Sequence, residues 1–176
     1  MIRIQKSSPI FKAVNFVTNP IMGKIPKDER RHHILYCYYK DGKLIYTNGK
    51  YLSLAEIETP DYFENETFYE VLKRNKSEII IDKIDSDEPY PDFDGILSEY
   101  PDMDLVHPAG DGYTDSAVCF ILQETGAIFN VQALINALNS IDFGTISGKV
   151  SKVDPICVEE SHNGYKNQIW LMPKKA

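Results

Sequence analysis

No run of about 18 consecutive apolar residues occurs in the chain, so no membrane-spanning helix is encoded. The opening MIRIQKSSPIFK has neither a long apolar core nor a small-residue cleavage site, so no signal peptide is expected. Cysteine is scarce. Cys37, Cys119 and Cys157 are odd in number and lie within apolar runs, which predicts reduced core thiols, a reducing compartment and a cytoplasmic protein. Positive charge is also short: the formal net charge is -7, which argues against a general nucleic-acid coat protein but leaves one basic face open.

What the chain does have is ordinary globular material. It holds 176 residues, 43% of them hydrophobic and 26% charged, enough for one domain to bury a core without disulfides. The charge is segregated. Acid is concentrated in Asp82, Asp85, Asp87, Glu88, Asp92, Asp94, Glu99, Asp102 and Asp104, whereas Lys24, Lys27, Arg30 and Arg31 form a basic cluster.

Residues 1–6 alternate as a half-buried strand does, with Ile2 and Ile4 on one side. Ser8-Pro9 predicts a helix start, and Ile10, Val14, Val17 and Ile21 form its apolar stripe up to Asn19-Pro20. Strands follow at Ile34–Tyr39, Lys43–Thr47 and Tyr51–Ile57, with Asp41-Gly42 and Asn48-Gly49 as the turns between them. The end of the chain repeats that order. A strand is expected at Ala117–Leu122, then a helix capped by Asn130 with the stripe Val131, Leu134, Ile135, Leu138 and Ile141. Strands at 145–153, 155–159 and 166–172 follow, the last turn being Asn163-Gly164. The expected class is α+β: two βαβββ units, about 1–58 and 116–176, with paired helices packed on antiparallel sheets. The stretch between them, about 59–115, holds strand candidates at Phe68–Leu72 and Glu78–Ile84 and reads otherwise as an insertion.

Short motifs sit on these elements in a recognisable order. Lys27-Asp-Glu-Arg-Arg31, then Asp41-Gly-Lys-Leu-Ile-Tyr-Thr-Asn-Gly-Lys-Tyr-Leu52, resembles a charged D-x-R segment followed by an ATDGHRL-type strand-turn-strand. Tyr90-Pro-Asp-Phe93 with Ile96 and Leu97 is similar to an FPDY segment. Phe129-Asn-Val-Gln-Ala-Leu-Ile-Asn-Ala-Leu138, Pro155-Ile156 and Leu171-Met-Pro173 resemble the helix, strand and MPM ending of a closing domain. Together they resemble the bacterial sliding clamp, the β subunit of the replicative DNA polymerase. Asn48 and Lys50 stand where the clamp motif has aspartate and histidine.

That resemblance implies a non-catalytic module of DNA replication and processivity, needing no cofactor or metal. In clamps the helices line a central hole, so Lys12, Lys24, Lys27, Arg30 and Arg31 are the expected contacts to duplex DNA, independent of sequence. Clamp partners insert a hydrophobic peptide, which implies a site made of Thr47, Gly49, Leu52, Pro91, Met172 and Pro173 for a polymerase or other replication protein. Clamps close as rings, and one such domain implies a homo-oligomer.

The residues alone leave a second class open: a small hydrolase or metal-dependent enzyme using His107, Cys119 and acidic loop residues, with Asp115 beside them. His32, His33 and Cys37 are potential metal ligands, though adjacent histidines opening a strand point to opposite faces. Asp85-Ser-Asp87-Glu88-Pro89 lacks the glycine and closing glutamate of a calcium loop.

Overall fold

The computed structural model describes residues 1–19, 31–48, 51–57, 60–98, 103, 105–125, 129–151, 154–162 and 165–173. These form two compact units, Met1–Asn48 with Ser53–Tyr90, and Gly49–Leu52 with Pro91–Ala176.

In the first unit β1 (Ile2–Gln5) leads into α1 (Phe11–Thr18), a short α2 (His32–Leu35), and the strands β2 (Cys37–Lys40), β3 (Lys43–Thr47), β4 (Tyr51–Glu56), β5 (Thr67–Arg74) and β6 (Glu78–Ile84). Tyr51 and Leu52, at the start of β4, group with the second unit. The strand order is β1-β6-β5-β2-β3-β4. β5 and β6, from the stretch read as an insertion, are integral to this sheet: β5 pairs with both β2 and β6, and β6 pairs with β1. The β2–β3 hairpin turns on Asp41 and Gly42, at φ 48° and 79°, the left-handed pair that an Asp-Gly dipeptide tolerates best. α1 packs on β3 and β6. Its stripe works as the spacing predicts, since Ile10, Val14 and Val17 are buried; Ile21 lies outside the described residues. Between Val71 and Lys73 a bulge leaves Leu72 without a register partner, which accounts for its exposure.

The second unit comprises α3 (Phe93–Ser98), β7 (Leu105–Gly110), α4 (Thr114–Phe120) continued by a π-helical turn at Ile121–Thr125, α5 (Val131–Leu138), β8 (Phe143–Gly148), β9 (Ile156–His162) and β10 (Tyr165–Leu171). The sheet order is β10-β9-β8-β7, and every register given is antiparallel. Asn130 caps α5 as expected, its Oδ1 accepting the Ala133 amide at 3.0 Å. Leu134, Leu138 and Ile141 are buried. Tyr165 pairs with His162, while Asn163-Gly164 lie outside the described residues.

Three expectations are corrected. Ala117–Leu122 is helical, and β7 supplies the strand that opens the second βαβββ unit. An apolar run this short has no decisive period; in the fold Ala117 and Ile121, one helical turn apart, are buried while Cys119 is exposed. Ile34 sits in α2, and the strand begins at Cys37. The helical turn is closed by Ile34 N–H to the Arg31 carbonyl and Tyr36 N–H to that of His32, at 3.0 and 2.9 Å. The first helix begins at Phe11, not at Ser8-Pro9: Ser8 N–H bonds the Gln5 carbonyl in a turn, and no side chain caps α1.

Candidate functional site

Of the residues expected to face DNA, Lys24, Lys27 and Arg30 lie outside the described residues. Arg31 is exposed immediately before α2, and Lys12 is half-buried on α1. Of the expected peptide-binding set, Gly49 lies outside the described residues. Thr47 is buried at the end of β3 in the first unit. Leu52, Pro91, Met172 and Pro173 all fall in the second: Leu52 is fully buried, the other three half-exposed. Leu52 therefore contributes to the core, while Pro91, Met172 and Pro173 keep accessible surface.

The chemical alternatives find little support in the geometry. Cys119, expected in the core, is exposed on α4 because the helical period turns it away from Ala117 and Ile121. His107 stacks on Phe120, centroids 5.1 Å apart, and its Nδ1 lies 2.6 Å from the Pro108 carbonyl. Among the described residues His107, Asp115 and Cys119 share no hydrogen bond. His32 and His33 occupy a helical turn rather than a strand. His32 is held by the acidic loop: its backbone N–H donates to Glu88 Oε2 at 3.0 Å and its Nδ1 meets Ser86 Oγ at 2.6 Å, with Tyr36 and Phe68 packed edge-on against the ring. The Cys37 thiol donates to the Tyr69 carbonyl at 3.3 Å, and burial pushes its pKa up to about 12. No group of three His, Cys, Asp or Glu able to hold a metal occurs among the described residues. No helix there is long and apolar enough to cross a membrane.

A basic groove of about 400 Å³ in the first unit escaped the sequence reading. It is lined by Lys6, Phe11, Asn15, Arg74, Asn75 and Lys76. Three elements build it. Past the end of β1, Lys6 N–H continues the ladder to the Ser77 carbonyl at 2.8 Å. The β5–β6 turn is locked by Asn75 Oδ1, which accepts from the backbone of Ser77 and Glu78 at 2.8 and 2.9 Å. Phe11 and Asn15, four residues apart, share one face of α1. Arg74 Nε donates to Asn15 Oδ1 at 2.9 Å, tying turn to helix. Partial burial lowers the pKa of the guanidinium. The nearby Glu78 carboxylate is taken by Lys73 at 2.6 Å and Arg3 at 3.6 Å. The signal was the polar run Lys73-Arg-Asn-Lys76 between two strands, but nothing local tied it to Lys6 or to α1.

No protein-family model matches the sequence, and no curated protein matches it. Solved structures do. The H. pylori beta clamp in complex with diflunisal aligns at 13% identity with a TM-score of 0.59, covering 99% of this chain and 66% of that one. DNA polymerase III subunit beta from Borrelia burgdorferi aligns at 11% identity and a TM-score of 0.60, covering 99% and 64%. The subunit from Pseudomonas aeruginosa aligns at 10% and 0.56, covering 100% and 67%. For the first two, the chain thus spans less than two thirds of the length of the clamp it matches. At these identities the likeness is one of fold, and the fold of this chain is that of the bacterial DNA polymerase III β clamps.

Proposed function

We propose that the chain is a non-catalytic, clamp-like module of DNA replication. The observation that carries this reading is the clamp fold extending over 99% of the chain. In this reading residues 1–176 are one clamp-like domain of two βαβββ units, working in the cytoplasm. Lys12, Lys24, Lys27, Arg30 and Arg31 meet the phosphates of duplex DNA without reading bases. A replication protein docks a hydrophobic peptide on the members of the expected set that fall in the second unit, Gly49, Leu52, Pro91, Met172 and Pro173, with the accessible surface of Pro91, Met172 and Pro173 offering the first contacts. Self-association supplies the further copies that a ring needs. β1 and β7 each stand at the end of a strand order with a neighbour on one side only, β6 and β8 respectively, and such edges are templates for pairing with another chain.

Titration with a clamp-binding peptide, followed by amide chemical shifts, tests the docking half of this reading. Shifts concentrated at 49–52, at the residues flanking Pro91 and at 171–172 are expected, since proline itself carries no amide N–H. Shifts scattered over the chain, or none at those positions, contradict it.

A further inference from the structure

The groove formed by Lys6, Arg74 and Lys76 has the composition of a binding site, and the clamp-like reading gives it no task. Three cations converge on one concavity. No carboxylate among the described residues pairs with Lys6, Arg74 or Lys76, and Glu78, two residues on from Lys76, is already engaged by Lys73 and Arg3. A half-buried guanidinium without a counterion is costly, so the groove favours an incoming anion. Arg74 spends only Nε on Asn15, so its terminal nitrogens keep their donors, and the planar fork they form matches the oxygens of a phosphate. The Oδ1 atoms of Asn15 and Asn75 are occupied as acceptors, which turns both amides so that their nitrogens remain as donors.

We propose that this groove binds the terminal phosphate of a nucleotide, free or at the end of a nucleic-acid strand. Charge selects the phosphate. A phosphate monoester carries about -1.5 to -2 at neutral pH, a better match to three cations than the single charge of a carboxylate or a bridging diester. Size and lining select the nucleotide. The volume falls in the range of small-ligand sites, and Phe11 supplies an aromatic wall on which a base can stack. The proposal does not rest on duplex binding by the residues around the first helix. A blunt duplex with hydroxyl ends carries no terminal phosphate, so the two readings fail separately.

Amide-shift titrations of the whole chain with AMP, adenosine, and a short single strand bearing either a 5′-phosphate or a 5′-hydroxyl test it. AMP, the phosphorylated strand or both should shift residues 6, 11, 15 and 74–76, and whichever binds identifies the source of the phosphate. Adenosine and the hydroxyl strand should not. Replacing the exposed lysines, K6Q with K76Q, should weaken binding at least about tenfold while leaving the spectrum dispersed, since charge-assisted contacts of this kind are lost without disturbing the core. R74Q should weaken it further. Shifts absent with both phosphorylated probes, adenosine binding as well as AMP, or K6Q/K76Q binding unchanged would each overturn the proposal.

Discussion

Tyr90, the last residue of the first unit, lies stacked on Tyr38 of β2, ring centroids 4.3 Å apart and planes 12° from parallel. Phe68 of β5 meets both rings, at 4.9 and 5.5 Å. The three aromatics fasten the segment after β6 back onto the sheet. Just before them, Ser86 and Glu88 hold His32, so the acidic stretch is stitched down at two points. Burial raises the Tyr90 phenol well above its ordinary range. Tyr90→Ala should therefore cost about 2–3 kcal/mol of stability, read as a lower urea midpoint at unchanged slope. A loss near zero would mean that the stack contributes nothing to the first unit.

The cysteines give a second prediction. Burial raises the pKa of Cys37, up to about 12, and that of Cys157, whereas Cys119 is exposed. The thiolate is the reactive form, so one thiol should react rapidly with a maleimide in the native protein, two slowly, and all three in denaturant. Peptide mapping should place the rapid modification on Cys119. Rapid labelling of Cys37 or Cys157 in the folded chain would contradict the packing described.

Much of the fold was legible because its signals are local. The Asp41-Gly42 turn, the stripe of α1 and the cap on α5 each depend on residues within one turn or one hairpin. What failed was also local but undecided: Ala117–Leu122 is too short an apolar run to choose between periods, and Ile34 reads as strand until its neighbours close a helical turn. The groove was invisible for a different reason. Lys6 and Arg74 are brought together by the pairing of β1 with β6 and β6 with β5, and no nearby residue announces that register. The clamp resemblance was legible in the order of motifs, while the cationic face it implies falls largely on residues 24–30, outside those the structure describes.

Two ion-paired carboxylates give a pH prediction. The hydrogen bond from Lys73 is the main reason the pKa of Glu78 is lowered, and the bond from the Met1 amino group, 2.6 Å away, is the main reason for that of Asp82. A folded-state pKa below the unfolded one means that the contribution is present above the ordinary carboxylate range, about 4, and is lost as pH falls through the folded value. Carbon-detected titration should find both midpoints below that range. Lys73→Gln should raise the Glu78 midpoint and leave Asp82 where it was. Ordinary midpoints in the native chain would show that these pairs do not persist in water.

The most direct test of a clamp-like role is the affinity for blunt, non-specific duplex DNA measured against salt. Binding should be weak and sequence-independent, and the logarithm of the affinity should fall linearly with the logarithm of salt concentration, by about 0.9 per phosphate neutralised. Replacing Lys27, Arg30 and Arg31 with alanine should make that slope shallower by up to about 2.7, with equal effect on unrelated sequences. No detectable duplex binding at low salt in any oligomeric state, or a slope unmoved by the triple substitution, would contradict it.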